Sequence, residues 1–225
     1  MKKTYSSVLY GLVQAVRRPR YYSTFSLFRD YTMIPRKVYV ANLELCRHYK
    51  KVEGDIVECG TWKGGMIAGM VRVLGADREY YLFDSFEGLP EVKEIDGPDA
   101  RAWQSNKNDV LYFDNCKAEE TDAVKAMTLS GAKHYSIRKG WFNESVAKFS
   151  SSNGIAILRL DADWYDSTME CLVHLFPKIN KGGVLILDDY YTWEGCSKAI
   201  HDYLSVNQLP HRIQSYHGIC YLIKK

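Results

Sequence analysis

Residues 155–163, IAILRLDAD, and residues 182–189, GGVLILDD, are two short apolar runs that each end in acid. Continuous apolar runs of this length read as buried strands of a parallel sheet. Side by side, they bring Asp161, Asp188 and Asp189 to one rim, where open α/β folds bind ligands. Crowded carboxylates repel one another unless a cation neutralises them. The pattern therefore reads as a divalent-metal site. The competing reading is that Asp161 and Asp188 only cap following helices.

The rest of the chain supplies the same kind of sheet. Residues 55–60, DIVECG, form a short apolar run ending at a glycine turn, and 64–75 has helical spacing with a terminal glycine. Residues 79–86, EYYLFDSF, read as a second strand ending at Asp84, which completes a βαβ unit. Helices are expected over 35–50, 119–131, 142–149, 167–179 and 194–206, and a strand over 134–140. Residues 211–225 read as a closing hairpin around His217-Gly218. This alternation predicts an α/β doubly wound, mostly parallel sheet with an antiparallel C-terminal edge. Residues 1–50 are expected to be a helical appendage or cap, and 51–225 the main domain. Residues 91–110 are polar and aperiodic, and read either as a lid loop or as a plain surface insertion.

Composition narrows the class. The 225 residues, 46% hydrophobic with net charge +3, suit one domain with a sizeable core. The basic spots at 1–3 and 17–20 are too small to argue for nucleic acid. No apolar run is long enough to span a membrane, and no leader is expected. The amphipathic segment 6–15 reads as interface packing, and a homo-oligomer is expected. Six scattered cysteines without metal-ligand spacing read as reduced thiols of a cytoplasmic protein.

The first turn, ECGTWKGG at 58–65, lets backbone approach a ligand through Gly60, Gly64 and Gly65, and the next helix opens there. Asp84 is positioned to accept hydrogen bonds from two ribose hydroxyls, or else to cap the turn at 84–88. Together they point to an adenosine-type cofactor. Glu58 beside the turn disfavours a diphosphate and suits a positively charged end, such as the ammonium of S-adenosylmethionine. Asp163 is the candidate general base, with Asp161 as the alternative base and helix capping as the competing role. Asp166 reads as the cap of the helix that follows.

As a set, DIVECGTWKGG at 55–65, FDSFEGLP at 83–90, KGWF at 139–142, RLDADWYDST at 159–168 and GGVLILDDYY at 182–191 resemble the macrocin O-methyltransferase (TylF) family. The resemblance implies a Rossmann-like fold and methyl transfer from S-adenosylmethionine, with Mg2+, to a hydroxyl of a sugar or glycan. By matching position it implies that Glu58, Gly60, Thr61, Gly64 and Gly65 hold the methionine end. Asp84 would take the ribose, with Ser85 beside it among the cofactor-binding residues, Gly140 and Trp141 the adenine, and Asp161, Asp188 and Asp189 the magnesium. Residues 31–35, YTMIP, resemble the family's cap over the cofactor. Cys59 and Trp62 depart from the family's usual residues. Two other functions stay open: a metal-dependent glycosyltransferase using the DAD at 161–163, and a non-catalytic module.

Overall fold

The computed structural model describes residues 19–110 and 112–225. The amphipathic segment 6–15 and most of the basic N-terminal spots lie outside the described residues. Among the described residues, no helix is long and apolar enough to cross a membrane.

Seven strands form one sheet: β1 (Asp55–Cys59), β2 (Glu79–Asp84), β3 (His134–Lys139), β4 (Ile155–Leu160), β5 (Ile179–Leu187), β6 (Gln214–Tyr216) and β7 (Ile219–Ile223), in the order β3-β2-β1-β4-β5-β7-β6. The first five are parallel, and β7 pairs antiparallel with β5 and β6. The chain runs outward from β1 to β3, then returns to the far side of β1 as β4. That reversal opens a crevice beyond the strand ends of β1 and β4, the usual ligand position in such sheets.

Both faces are covered, so β1, β4 and most of β5 are buried along their length. One face packs on the helices Arg36–His48, Gly65–Leu74 and Glu120–Ser130, and on 19–28, whose Phe28 is fully buried. The other face carries the helices Tyr165–Leu175 and Glu194–Val206. Each fully buried Leu, Ile or Phe in these layers contributes about 1.5–3 kcal/mol. Expected helices appear with small shifts, except that 142–149 shortens to Phe142–Ser145 and 167–179 ends at Leu175, with Ile179 opening β5. The closing hairpin forms as read: His217 (φ 49°) and Gly218 (φ 87°) both take the left-handed conformation its two-residue turn demands.

Residues 91–110 differ from expectation. The segment holds a short 3-10 turn, Glu94–Asp96, and a helix, Pro98–Ser105, opened by a proline at its first position. Polar composition hid this helix, because it is fixed by contacts with distant chain segments. Asp96 is buried and accepts the Tyr165 N–H at 2.7 Å, while Trp103 packs edge-on against Trp164 and Trp193.

Candidate active site

The strand tips are tied to one another beyond the strands themselves. Gly60 N donates to Phe83 O (2.8 Å), Asp161 N to Cys59 O (2.9 Å), Asp188 N to Leu160 O (2.9 Å) and Gly140 N to Asp84 O (2.9 Å). The turns bearing the expected site residues therefore form one locked row. Gly60, at φ 79°, is obligatory: a Cβ there would stand 1.7 Å from the Asp161 carbonyl oxygen.

A cavity of about 600 Å³ opens over this row, within the range of cofactor pockets. Gly60, Asp84, Ser85, Gly140, Trp141, Asp161 and Asp163 line it, joined by Met33 from the YTMIP stretch. Glu58, Thr61, Gly64 and Gly65 do not: Thr61 is buried, and Gly64 and Gly65 pack on Ala123 and Tyr31. Glu58 faces a protein partner instead of the cavity. Its side chain is 1% exposed and lies 2.9 Å from Arg159 Nη1. Burial pushes the Glu58 carboxyl up to about 8, with Arg159 opposing that rise.

Asp84 holds two turns at once. Its Oδ2 accepts the Trp62 N–H and its Oδ1 the Phe86 N–H, each at 2.7 Å. The capping role weighed from sequence is therefore real. A carboxylate has about four acceptor positions, so these backbone bonds leave room for a ligand hydroxyl. Trp62 (φ 49°), Phe86 (φ 60°) and Asp163 (φ 54°) all hold left-handed backbone near the cavity, a conformation that costs a non-glycine residue about 1–3 kcal/mol.

Arg159, on β4, organises the acids. It is fully buried, with Nη1 2.9 Å from both Glu58 Oε1 and Asp161 Oδ2, and Nη2 2.6 Å from Asp188 Oδ1. Alternation explains the grouping: Asp161 follows Arg159 by two, and Glu58 sits opposite Arg159 in the β1–β4 register. The short Asp188 contact is poorly aligned as a hydrogen bond, and Arg159 Nε and Glu58 Oε2 have no partner. Removing one member of such a buried set typically costs about 3–5 kcal/mol.

A second group sits next to the first. One carboxylate oxygen each from Asp161, Asp163 and Asp189 lie within 4.8 Å of one another. Asp188 is not in this group, since it turns to Arg159. Asp163 arrives by a turn after the strand has ended, not by strand alternation, and is fixed at both ends. Its N–H donates to Asp189 Oδ2 (3.1 Å), and its Oδ1 accepts Trp193 Nε1 (3.0 Å). Burial, then repulsion from Asp161, pushes Asp163 up to about 8. Burial pushes Asp161 up to about 6 against the pull of Arg159, and burial with Asp163 raises Asp189 well above the carboxylate range.

Helix capping does not account for these acids. The helix Tyr165–Leu175 and the 3-10 turn Asp189–Tyr191 have no side-chain cap. Asp166 is not the cap either: it pairs with Lys93, and the first-turn N–H of Tyr165 is satisfied by Asp96. Arg159 and Asp96 were missed from sequence; Trp193 reads there as a rim aromatic, and its hydrogen bond to Asp163 was missed. A signal existed for Arg159, since a lone arginine inside IAILRL demands acidic partners. Trp193 and Asp96 act only through tertiary contacts.

The chain is 33% identical over 160 residues to demethyldecarbamoylnovobiocin O-methyltransferase of Streptomyces niveus, covering 68% of this chain and 58% of the relative. It is 35% identical over 159 residues to 8-demethyl-8-(2,3-dimethoxy-alpha-L-rhamnosyl)-tetracenomycin-C 4'-O-methyltransferase of Streptomyces olivaceus, over 68% and 58%. These matches span under two thirds of the relatives' own length. Among solved structures, the O-methyltransferase NovP superposes with TM-score 0.70 at 25% identity, over 87% of this chain and 82% of that one. The calicheamicin methyltransferase CalS11 shares the fold at TM-score 0.59 and 18% identity, over 93% and 92%. The profile of one family matches residues 26–225. The chain belongs to the macrocin-O-methyltransferase (TylF) family.

Proposed function

We propose that this chain transfers a methyl group from S-adenosylmethionine to a hydroxyl of a sugar, or of another vicinal diol, with the help of Mg2+. The observation that carries this reading is the Asp161–Asp163–Asp189 cluster beside a cavity that also holds Gly60, Asp84 and Trp141. The donor set is all oxygen and anionic, and its carboxylates resist ionising together, which suits a hard divalent cation. Of that group Asp161 and Asp189 would hold it, joined by Asp188 through the oxygen that Arg159 leaves free, while Asp163 is kept for the proton. The side chains of Asp161 and Asp188 are 27% and 18% exposed, and each has one oxygen outside its contact with Arg159. When bound, the ion would lower the pKa of a chelating diol and so ease loss of its proton.

The protein's own groups then do the rest. Asp163 takes the proton from the acceptor oxygen, and Trp193 fixes its carboxylate for that task. Asp84 receives the ribose hydroxyls, Gly140 and Trp141 flank the adenine, and Met33 excludes water from above. The segment 91–110 braces the acceptor side from behind, through Trp103 against Trp193 and through Asp96 on the Tyr165 N–H. Six unpaired thiols support a reducing, cytoplasmic setting.

The test is incubation with S-adenosylmethionine and a panel of glycosides, with Mg2+ or with chelator, read by mass spectrometry. Methylated glycoside formed only with Mg2+ is expected. Turnover unchanged by chelator would remove the metal from the reading. Binding of a nucleotide sugar in preference to S-adenosylhomocysteine would replace it with glycosyl transfer.

A further inference from the structure

We propose that Arg159 is a positioning residue for the divalent cation, an inference that rests on the metal reading above. Its guanidinium sets the orientation of Asp161 and Asp188, so that each offers its remaining oxygen to the ion. The contacts span three strands. Nη1 donates to Asp161 Oδ2 at 2.9 Å and to Glu58 Oε1 of β1 at 2.9 Å, and Nη2 forms an ion pair with Asp188 Oδ1 at 2.6 Å.

Two observations argue that this arrangement serves ligand geometry and not stability. The guanidinium leaves its own Nε and Glu58 Oε2 buried without partners, each a cost of about 1–3 kcal/mol. A fixed positive charge beside a cation site also lowers cation affinity by simple Coulomb repulsion. An arginine kept there has to return more by orienting the acids than it loses by repelling the ion. Its planar fork addresses two carboxylates from one rigid group, which an ammonium does not. Partners that orient metal ligands typically change affinity 10–100-fold.

The test measures Mn2+ binding by electron paramagnetic resonance, without cofactor, on wild type, Arg159→Lys and the pair Glu58→Met/Arg159→Met. Both variants keep the net charge, and replacing a buried ion pair by apolar residues often preserves the fold. Circular dichroism and cooperative melting establish folding. The Mn2+ dissociation constant is expected to rise at least tenfold in both, and excess Mg2+ should recover turnover in Arg159→Lys. If Arg159→Lys does not fold, the charge-neutral pair decides. Mn2+ affinity within twofold of wild type, or tighter, in either folded variant overturns the proposal. A wild-type protein that methylates yet binds no Mn2+ removes the metal reading itself, a separate and recognisable failure.

Discussion

The acidic rim has two unlike halves. Glu58, Asp161 and Asp188 share a built-in cation, Arg159, at 2.6–2.9 Å. Asp163 and Asp189 are held instead by neutral donors, the Trp193 indole and a backbone N–H. Asp161 belongs to both halves. The first half holds one positive charge of the chain's own against three carboxyls, so it is neutralised in part. The second carries its charge at the cost of raised carboxyl pKa values, and relief there has to come from protons or from an added ion. The difference separates a scaffold for acids from a place where acids act.

The largest expected effect breaks the second half. Asp163→Asn should lower kcat about 10²–10⁴-fold with S-adenosylhomocysteine affinity unchanged, measured by calorimetry beside turnover. A loss under tenfold would move the base elsewhere. The next compares Asp188→Asn with Asp163→Asn for Mn2+ affinity. Asp188→Asn should be the weaker binder, by more than the ~10–100-fold that losing an outer partner costs. The reverse order would make Asp161, Asp163 and Asp189 the ligand set.

A third experiment uses protons. Carboxylates raised in the folded state hold protons that the unfolded chain has lost, so stability falls as pH climbs from about 4 to about 8. Tm without metal should therefore drop over that range by scanning calorimetry, and Mg2+ should raise Tm more at pH 8 than at pH 5. A flat profile would mean the rim is compensated by some other group. Trp193→Phe is expected to be milder, about tenfold in kcat, the worth of one hydrogen bond to a charged group. The smallest effect is Asp96→Ala, which removes the partner of Tyr165 N–H. A loss of about 1 kcal/mol, or about 2–4 °C in Tm, is expected with metal affinity intact.

Most of the scaffold was readable because it is local. The apolar runs at 55–59 and 155–160, the terminal glycine at 75 and the His217-Gly218 turn each carry their own instruction. The acids at strand ends were readable for the same reason: strand length and alternation place them. Three features were not local. The Pro98–Ser105 helix is short and polar, and Asp96 and Trp103 fix it by reaching across the fold to partners that its own residues do not announce. Glu58 looked like a ligand for a charged cofactor until Arg159, 101 positions away, proved to be its partner. Asp163 reaches the cluster through a left-handed turn that no alternation rule anticipates.

The missing side chain at Gly60 has a wider consequence. Its α-carbon sits so near the Asp161 carbonyl that even a methyl group would pry β1 from β4. If the donor methyl lies over one tip and the acceptor oxygen over the other, their spacing is a backbone dimension. No rotamer change could retune it, and an in-line transfer tolerates an error of about 1 Å poorly. Selection for a new acceptor would thus have to work at the outer walls, leaving the gap between these two strands untouched.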